Sequence, residues 1–241
     1  MGRAFEVRKA AMARTSAAKT KLYSKYGKEI LIAAKTGVPD PEMNLSLKRV
    51  IERAKKAQVP GDIIKRAIDK AQSGASEDYS SVTYEGFGPG AATIIVECLT
   101  DNLNRSVSEV RTAFNKNHTK FGVSGSVSHG YDHVSLLVVS GVDEDQVLEA
   151  LIVGEVNVSN IESDGDQVTI TGEPQDLYAM KSALESLEGI NVEMEEVTWI
   201  PMDNAYVELD SEDDEVFQRL LQLLDDLDDV QNVYHNVAAK E

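Results

Sequence analysis

The stretch VSLLVVSGVDEDQVLEALIVGEVNVSNIESDGDQVTITGEPQDLYAMKSALESLEGINVEMEEVTW, residues 134–199, carries a whole fold unit in its patterning. Residues 134–139 read as a strand that contains the apolar run Leu136 to Val139, and residues about 143–153 as a helix. Strand-like segments follow at about 156–161 and 167–171, with Asp164-Gly165-Asp166 between them as a hairpin signal. Glu173-Pro174 opens a second helix with proline in its first turn. Leu177, Met180, Leu184 and Leu187 recur on one face of that helix, Gly189 ends it, and 192–199 is a strand. Strand-helix-strand-strand-helix-strand is the order of a ferredoxin-like β-α-β-β-α-β unit, with two helices on one face of a four-stranded antiparallel sheet.

The same order recurs around this unit. Ala92 to Leu99 reads as a strand, 101–106 as a turn with Ser106 and Glu109 as a capping box, and a helix carries Val107, Val110, Arg111 and Phe114 to about 117. Strands are expected at 126–131 and 205–209, a helix at about 213–224 capped by Asp210 or Ser211, and a strand at about 229–235. The expected class is therefore α+β, with two ferredoxin-like domains, one inserted in the other. Residues 79–132 and 202–241 would form a discontinuous acidic α/β domain and 133–201 the inserted acidic α/β domain. The crossings would fall between the nearly abutting strands 126–131 and 134–139, and at Trp199-Ile200-Pro201-Met202. A single mixed sheet is the alternative topology. In front, residues 1–78 read as a basic three-helix domain: a helix within 6–35, stopped by Gly37-Val38-Pro39-Asp40-Pro41, a second at about 44–57 capped by Asn44, and a third at about 61–72.

The chain has 241 residues, 42% of them hydrophobic, and a single cysteine, Cys98. One cysteine excludes a disulfide framework and a cysteine-based zinc site within the chain. No apolar run approaches a membrane span, and the first 30 residues lack the apolar core of a secretory signal, so a cytoplasmic protein is expected. The net charge of −17 conceals a division. Residues 1–78 hold 17 Lys and Arg against 9 Asp and Glu, and residues 79–241 hold 7 against 32. A polyanion is attracted by the first part and repelled by the second. Lys9, Arg14, Lys21, Lys25, Lys28, Lys48, Arg49, Arg53, Lys55 and Lys56 are the candidates to neutralise phosphates, and Lys21, Lys25 and Lys28 share one helix face. In the acidic part Arg105 and Arg111 are added, with Lys116 and Lys120 extending a cationic ridge. Two loops are candidate partner contacts: Tyr84 to Gly90, with Glu85 and Phe87, and 100–106, with Asp101, Asn102 and Asn104. Phe87 suits stacking on a base or packing the loop onto the sheet. Glu85 suits capping loop amides or orienting a basic residue. Asn and Asp either read nucleic acid or cap helices.

Neither a phosphate loop nor a dinucleotide fingerprint is present, and no nucleophile-base-orienter set emerges. His118, His129 and His133 with Asp132 have no recognised metal-ligand spacing and read as turn residues. The expectation is a non-enzyme with no cofactor, no metal, no small-molecule substrate and no membrane contact.

Specific motifs narrow this. Tyr84-Glu85-Gly86-Phe87-Gly88-Pro89-Gly90, Thr100-Asp101-Asn102-Leu103-Asn104-Arg105 with Val110-Arg111, Gly125-Ser126-Val127, Trp199-Ile200-Pro201 and the run Leu227 to Asn236 together resemble the YebC-like family of probable transcriptional regulators. That family includes the mitochondrial translational activator of cytochrome c oxidase. The resemblance spans nearly the whole chain. It implies an N-terminal helical domain, two α/β domains with one inserted in the other, and a nucleic-acid-binding role for the helical part. The implied function is a DNA-binding regulator of transcription. The alternatives are a ribosome-associated translation factor acting on ribosomal or transfer RNA, including at proline-rich stretches, and an acidic scaffold for basic proteins. The chain departs from the usual family pattern at His118-Thr119-Lys120, where members often carry Gly-Gly-Asn, and at Asp132-His133, where they often have a basic turn.

Overall fold

The computed structural model describes residues 19–73 and 79–238. Three helices come first: α1 (Lys19–Lys35), α2 (Leu45–Lys56) and α3 (Gly61–Gln72). Their apolar stripes meet in one core, where Ile30, Ala33 and Ala34 of α1 pack with Leu47, Val50, Ile51 and Ala54 of α2 and Ile64 and Ala67 of α3. Asn44 caps α2 by accepting from the Leu47 N–H at 3.0 Å. Its amide also donates to the Ala33 carbonyl at 2.7 Å, so the cap of one helix fastens the end of the previous one.

The first sheet has the order β3-β1-β2-β8, every neighbour antiparallel. Its strands are β1 (Ser80–Phe87), β2 (Thr93–Thr100), β3 (Lys120–Phe121) and β8 (Val230–His235). Helices α4 (Leu103–Lys116) and α7 (Ser211–Asp225) supply the layer that packs on it. Ile94, Val96 and Cys98 alternate toward Val110, Ala113 and Phe114 of α4 and Phe217, Leu220 and Leu224 of α7.

The second sheet is inserted in sequence between β3 and α7. It runs β4 (Tyr131–Ser140), α5 (Glu144–Val153), β5 (Asn160–Asp164), β6 (Gln167–Gly172), α6 (Leu177–Leu184) and β7 (Asn191–Pro201). The spatial order β5-β6-β4-β7, again antiparallel, is the ferredoxin-like arrangement. Asp143 and Gln146 close a reciprocal capping box at the start of α5. The α+β class, the helical front and the two four-stranded sheets are as the sequence indicates.

The first sheet, however, recruits different strands. Ser126–Gly130 is not a strand, because the N–H groups of Gly125, Val127 and Ser128 all donate to the Glu85 carboxylate and are unavailable for a ladder. Tyr131 instead begins β4, so the two abutting strands are a turn followed by one long strand. Residues 205–209 contribute only a single bridge, Val207 to Val237. The Asn236 amide takes the Ala205 carbonyl at 2.6 Å, which competes with a ladder there. The strand that fills the sheet is β1, whose last four residues, Tyr84 to Phe87, form half of the expected glycine-rich loop. The cap of α4 is Asn102, accepting from the Arg105 N–H, rather than Ser106, which is buried within the helix.

The two sheets meet at a seam. Strands β4 and β7 pair from Tyr131 opposite Pro201 to Ser140 opposite Asn191, so both chain crossings leave the first sheet side by side. Ile95, Val127, Tyr131 and Tyr234 form a buried cluster there, with Phe87 and Trp199 against it. The Trp199 Nε1–H donates to Glu97 of β2 at 3.0 Å, and the His133 ring stacks on the indole at 4.2 Å. Among the described residues, no helix is long and apolar enough to cross a membrane.

Candidate nucleic-acid interface

The cations of the helical front divide into those turned inward and those left in solvent. Lys21 and Lys25 lie 3.3 and 3.6 Å from the Asp225 carboxylate at the end of α7. Lys25 also donates to the Gln231 carbonyl at 2.6 Å. Lys28 donates to the Asp228 carbonyl at 2.6 Å and to the Asp229 carboxylate at 3.1 Å. The face that these three lysines share is thus the docking face of α1 against the α7–β8 turn. Burial holds the pKa values of Lys21 and Lys25 below the ordinary lysine range despite the attraction of Asp225. On α2, the Arg49 guanidinium carbon sits 3.6 Å from the centre of the Tyr178 ring of α6. Arg53 pairs with Glu29 at 2.9 Å. Lys56 approaches Glu195 at 3.7 Å, a carboxylate that Lys181 holds at 2.8 Å. The expected phosphate contacts Lys21, Lys25, Lys28, Arg49 and Arg53 therefore serve the fold: their charges are spent on carboxylates, a carbonyl or a ring of the same chain. Lys9 and Arg14 lie outside the described residues. Lys48, Lys55 and Lys56 remain exposed, and so do Lys65 and Arg66 of α3; Lys48 has Glu42 at 3.8 Å and Arg66 has Asp62 one turn away.

Arg105 is also committed. Its guanidinium donates to Asp101 at 2.6 Å and to Asp229 at 2.8 Å. Asp229 is the hub of this corner, 3% exposed, and accepts from Thr100 Oγ1 at 2.8 Å as well as from Lys28 and Arg105. Burial pushes its pKa up, but the three donors outweigh burial and hold it below the usual carboxylate range. One carboxylate thereby joins α1, β2, α4 and the turn before β8. No sequence pattern singled it out within the acidic run Asp225 to Asp229. Asp101 and Asn102 are used locally, as ion-pair partner and cap, whereas Asn104 is exposed.

Arg111 and Lys120 line an open groove of about 790 Å³ between α4, the β1–β3 edge and the loop 118–124. Arg111 is exposed on α4, with its guanidinium carbon 5.2 Å from the centre of the Phe121 ring. Phe121 in turn lies 5.9 Å from Tyr84. Lys120 is exposed on β3, 5.6 Å from the Phe87 ring. Asn115 and His118 also line it. His118 has φ 55°, the left-handed conformation just past the helix C-terminus, where its N–H reaches back to the Asn115 carbonyl at 3.1 Å.

Glu85 explains why this loop has a shape. Its carboxylate accepts from the backbone N–H groups of Gly125 at 2.7 Å, Val127 at 2.6 Å and Ser128 at 3.0 Å. Burial raises its pKa, and these amides more than reverse the effect, leaving it below the usual range. Of the two roles open to Glu85 in the sequence, the geometry supports amide capping. Phe87 packs against the seam rather than standing free. Among the described residues no group of three or more His, Cys, Asp and Glu gathers to hold a metal; His118 lines the groove, while His133 stacks on Trp199.

A family model for the TACO1/YebC N-terminal domain matches residues 3–74, and one for the TACO1/YebC second and third domain matches residues 79–237. Similar proteins include a probable transcriptional regulatory protein of Pseudoalteromonas translucida, 49% identical with all of both chains covered. Another, from Marinobacter nauticus, is 50% identical over 98% of each chain. Among solved structures, a conserved hypothetical protein from Aquifex aeolicus superposes with a TM-score of 0.76 at 36% identity, covering 95% of this chain and 94% of that one.

Proposed function

Because this chain belongs to the TACO1/YebC family, we propose that it is a non-enzymatic, nucleic-acid-binding regulator of gene expression that acts on transcription through DNA. The names of its relatives support this reading. The observation that carries it is the distribution of uncommitted cations. Among the described residues Lys55 and Lys65 on the helical front, and Arg111, Lys116 and Lys120 on the α4–β3 segment, are exposed with no carboxylate within ion-pair distance. Three of the seven Lys and Arg of residues 79–241 thus stand together where 32 carboxylates dominate. Net charge −17 disfavours loose association with any polyanion, so binding must come from such local patches.

The test is fluorescence anisotropy of the full chain with labelled duplex and single-stranded oligonucleotides as salt is raised. If all five cations meet duplex phosphates, log K falls with log salt at a slope of about −4 to −5, at ~0.9 per contact. Lys55→Glu with Lys65→Glu lowers affinity and flattens the slope by about 2. Absence of binding to every oligonucleotide at low salt refutes the reading.

A further inference from the structure

The groove beside α4 has a composition that a site for duplex phosphates alone does not need. Its floor and walls combine the Tyr84 and Phe121 rings with the side chains of Arg111, Lys120, Asn115 and His118. Val123, at its rim, is 76% exposed. An exposed aliphatic side chain and an aromatic ring in one groove, with a guanidinium on the ring and an ammonium on the bordering strand, are matched to a ligand that is apolar and planar on one side and anionic on the other. A paired base in a duplex offers no such face, because its rings are stacked and only its edges and phosphates are accessible. An unpaired nucleotide offers both.

The electrostatics agree. Glu85 is the acidic residue of the groove lining, and its carboxylate is spent on three backbone amides on the far side of the loop. Arg111 and Lys120 are exposed and meet rings rather than carboxylates. Arg111 is placed to hold the Phe121 ring on one side and a phosphate on the other, and Lys120, whose ammonium lies by Phe87 on the opposite face of the sheet, stands on the edge strand that borders the groove. Asn115 brings an amide, donor and acceptor together, and His118 a ring with both capacities, to the same lining, where they suit a base edge. An open groove of about 790 Å³ has room to seat a nucleotide-sized group against its wall.

We propose that this groove binds a single-stranded segment of nucleic acid, with an unpaired base against Phe121 and Val123 and its flanking phosphates on Arg111 and Lys120. The inference deepens the nucleic-acid-binding reading above and rests on it. It predicts a preference for unpaired over paired substrate that the cations of α2 and α3 do not impose.

The experiment uses the full chain with 12-nucleotide single strands of RNA and DNA and a 12-base-pair duplex, each labelled for anisotropy. Single strands bind more tightly than the duplex at equal salt. Arg111→Gln with Lys120→Gln, both at exposed positions, weakens single-strand binding about tenfold and reduces its salt slope by about 1.4, at ~0.7 per contact, and the loss in affinity is several-fold larger for the single strands than for the duplex. Oligonucleotides carrying 5-iodouracil, irradiated in complex with the wild-type chain, crosslink to Tyr84, Phe121 or His118. The RNA and DNA arms show whether the sugar matters. Duplex binding equal to or tighter than single-strand binding, indifference to the double variant, or crosslinks confined to α2 and α3 overturns the groove assignment while leaving nucleic-acid binding intact. Loss of binding to all three probes overturns the broader reading instead.

Discussion

Replacing Asp229 with alanine removes the carboxylate on which the corner between α1, β2 and α4 converges. The cost can be worked from its three partners. Thr100 Oγ1 keeps the Asn102 carbonyl at 3.1 Å, and Arg105, 42% exposed, keeps Asp101 at 2.6 Å, so both lose little. Lys28 is different: its side chain is 15% exposed and Asp229 is its ion-pair partner, and without it the ammonium keeps the Asp228 carbonyl and the Tyr79 ring at 5.8 Å but no carboxylate within ion-pair distance among the described residues. An ammonium held at that depth without its counter-charge, added to the lost charged hydrogen bonds, costs ~3 kcal/mol. Urea unfolding followed by far-UV circular dichroism reads the loss, and amide exchange localises it to α1 and β8, which separates local undocking from global unfolding. Asp229→Asn retains an acceptor and loses about half as much. A midpoint unchanged from wild type in Asp229→Ala refutes the argument that this carboxylate holds the corner. The pH dependence has a fixed sign. The folded-state pKa of Asp229 is depressed, so its stabilisation is complete above the ordinary carboxylate value of ~3.9 and is lost as pH falls below it and through the folded value.

Further outcomes follow from single contacts. Glu85→Ala leaves the Gly125, Val127 and Ser128 amides without their acceptor, so their exchange accelerates at least tenfold, a local loss of ~2 kcal/mol; unchanged protection would show that the loop is held by something else. Because the Glu85 pKa is also depressed, the same amides lose protection in the wild type as pH falls below the ordinary range of ~4.3. Gly86→Ala drives a methyl into the Phe114 ring and against the Lys120 carbonyl, destabilising the chain by ~2 kcal/mol, measurable as a fall in denaturation midpoint. Burial pushes the Cys98 thiol up to about 12, so Ellman's reagent finds no reactive thiol in the native chain and one after denaturation; prompt native reaction would contradict the burial of β2.

The inserted unit is legible almost residue by residue, because its helices and strands differ in hydrophobic period and its turns carry Asp-Gly and Glu-Pro punctuation. Asp164-Gly165-Asp166 and Glu173-Pro174 mark boundaries that the structure uses. The first sheet was less legible for a specific reason. Ser80 to Phe87 does alternate, but its inward positions are Val82, Tyr84 and Gly86, and a glycine paired under Phe114 gives no apolar signal. Ser126 to Gly130 looked like a strand because side-chain pattern does not reveal where backbone amides go, and here a carboxylate 40 residues earlier takes them. The same limit governed the candidate site. Lys21, Lys25 and Lys28 were correctly placed on one helix face, yet spacing cannot say whether that face meets phosphates or Asp225 and Asp229. Arg111 and Lys120 stand out for being cations in an acidic region, and both line the groove that holds Phe121, whose part sequence reasoning missed.

Trp199 is the only tryptophan of the chain, and it stands in β7 while its indole N–H is anchored to Glu97 of β2. Red-edge excitation of this protein therefore reports on one place alone, the boundary between its two sheets. Any ligand or substitution that rocks one sheet against the other breaks that anchor and shifts the emission, so the chain carries its own optical gauge of inter-sheet motion without an introduced label.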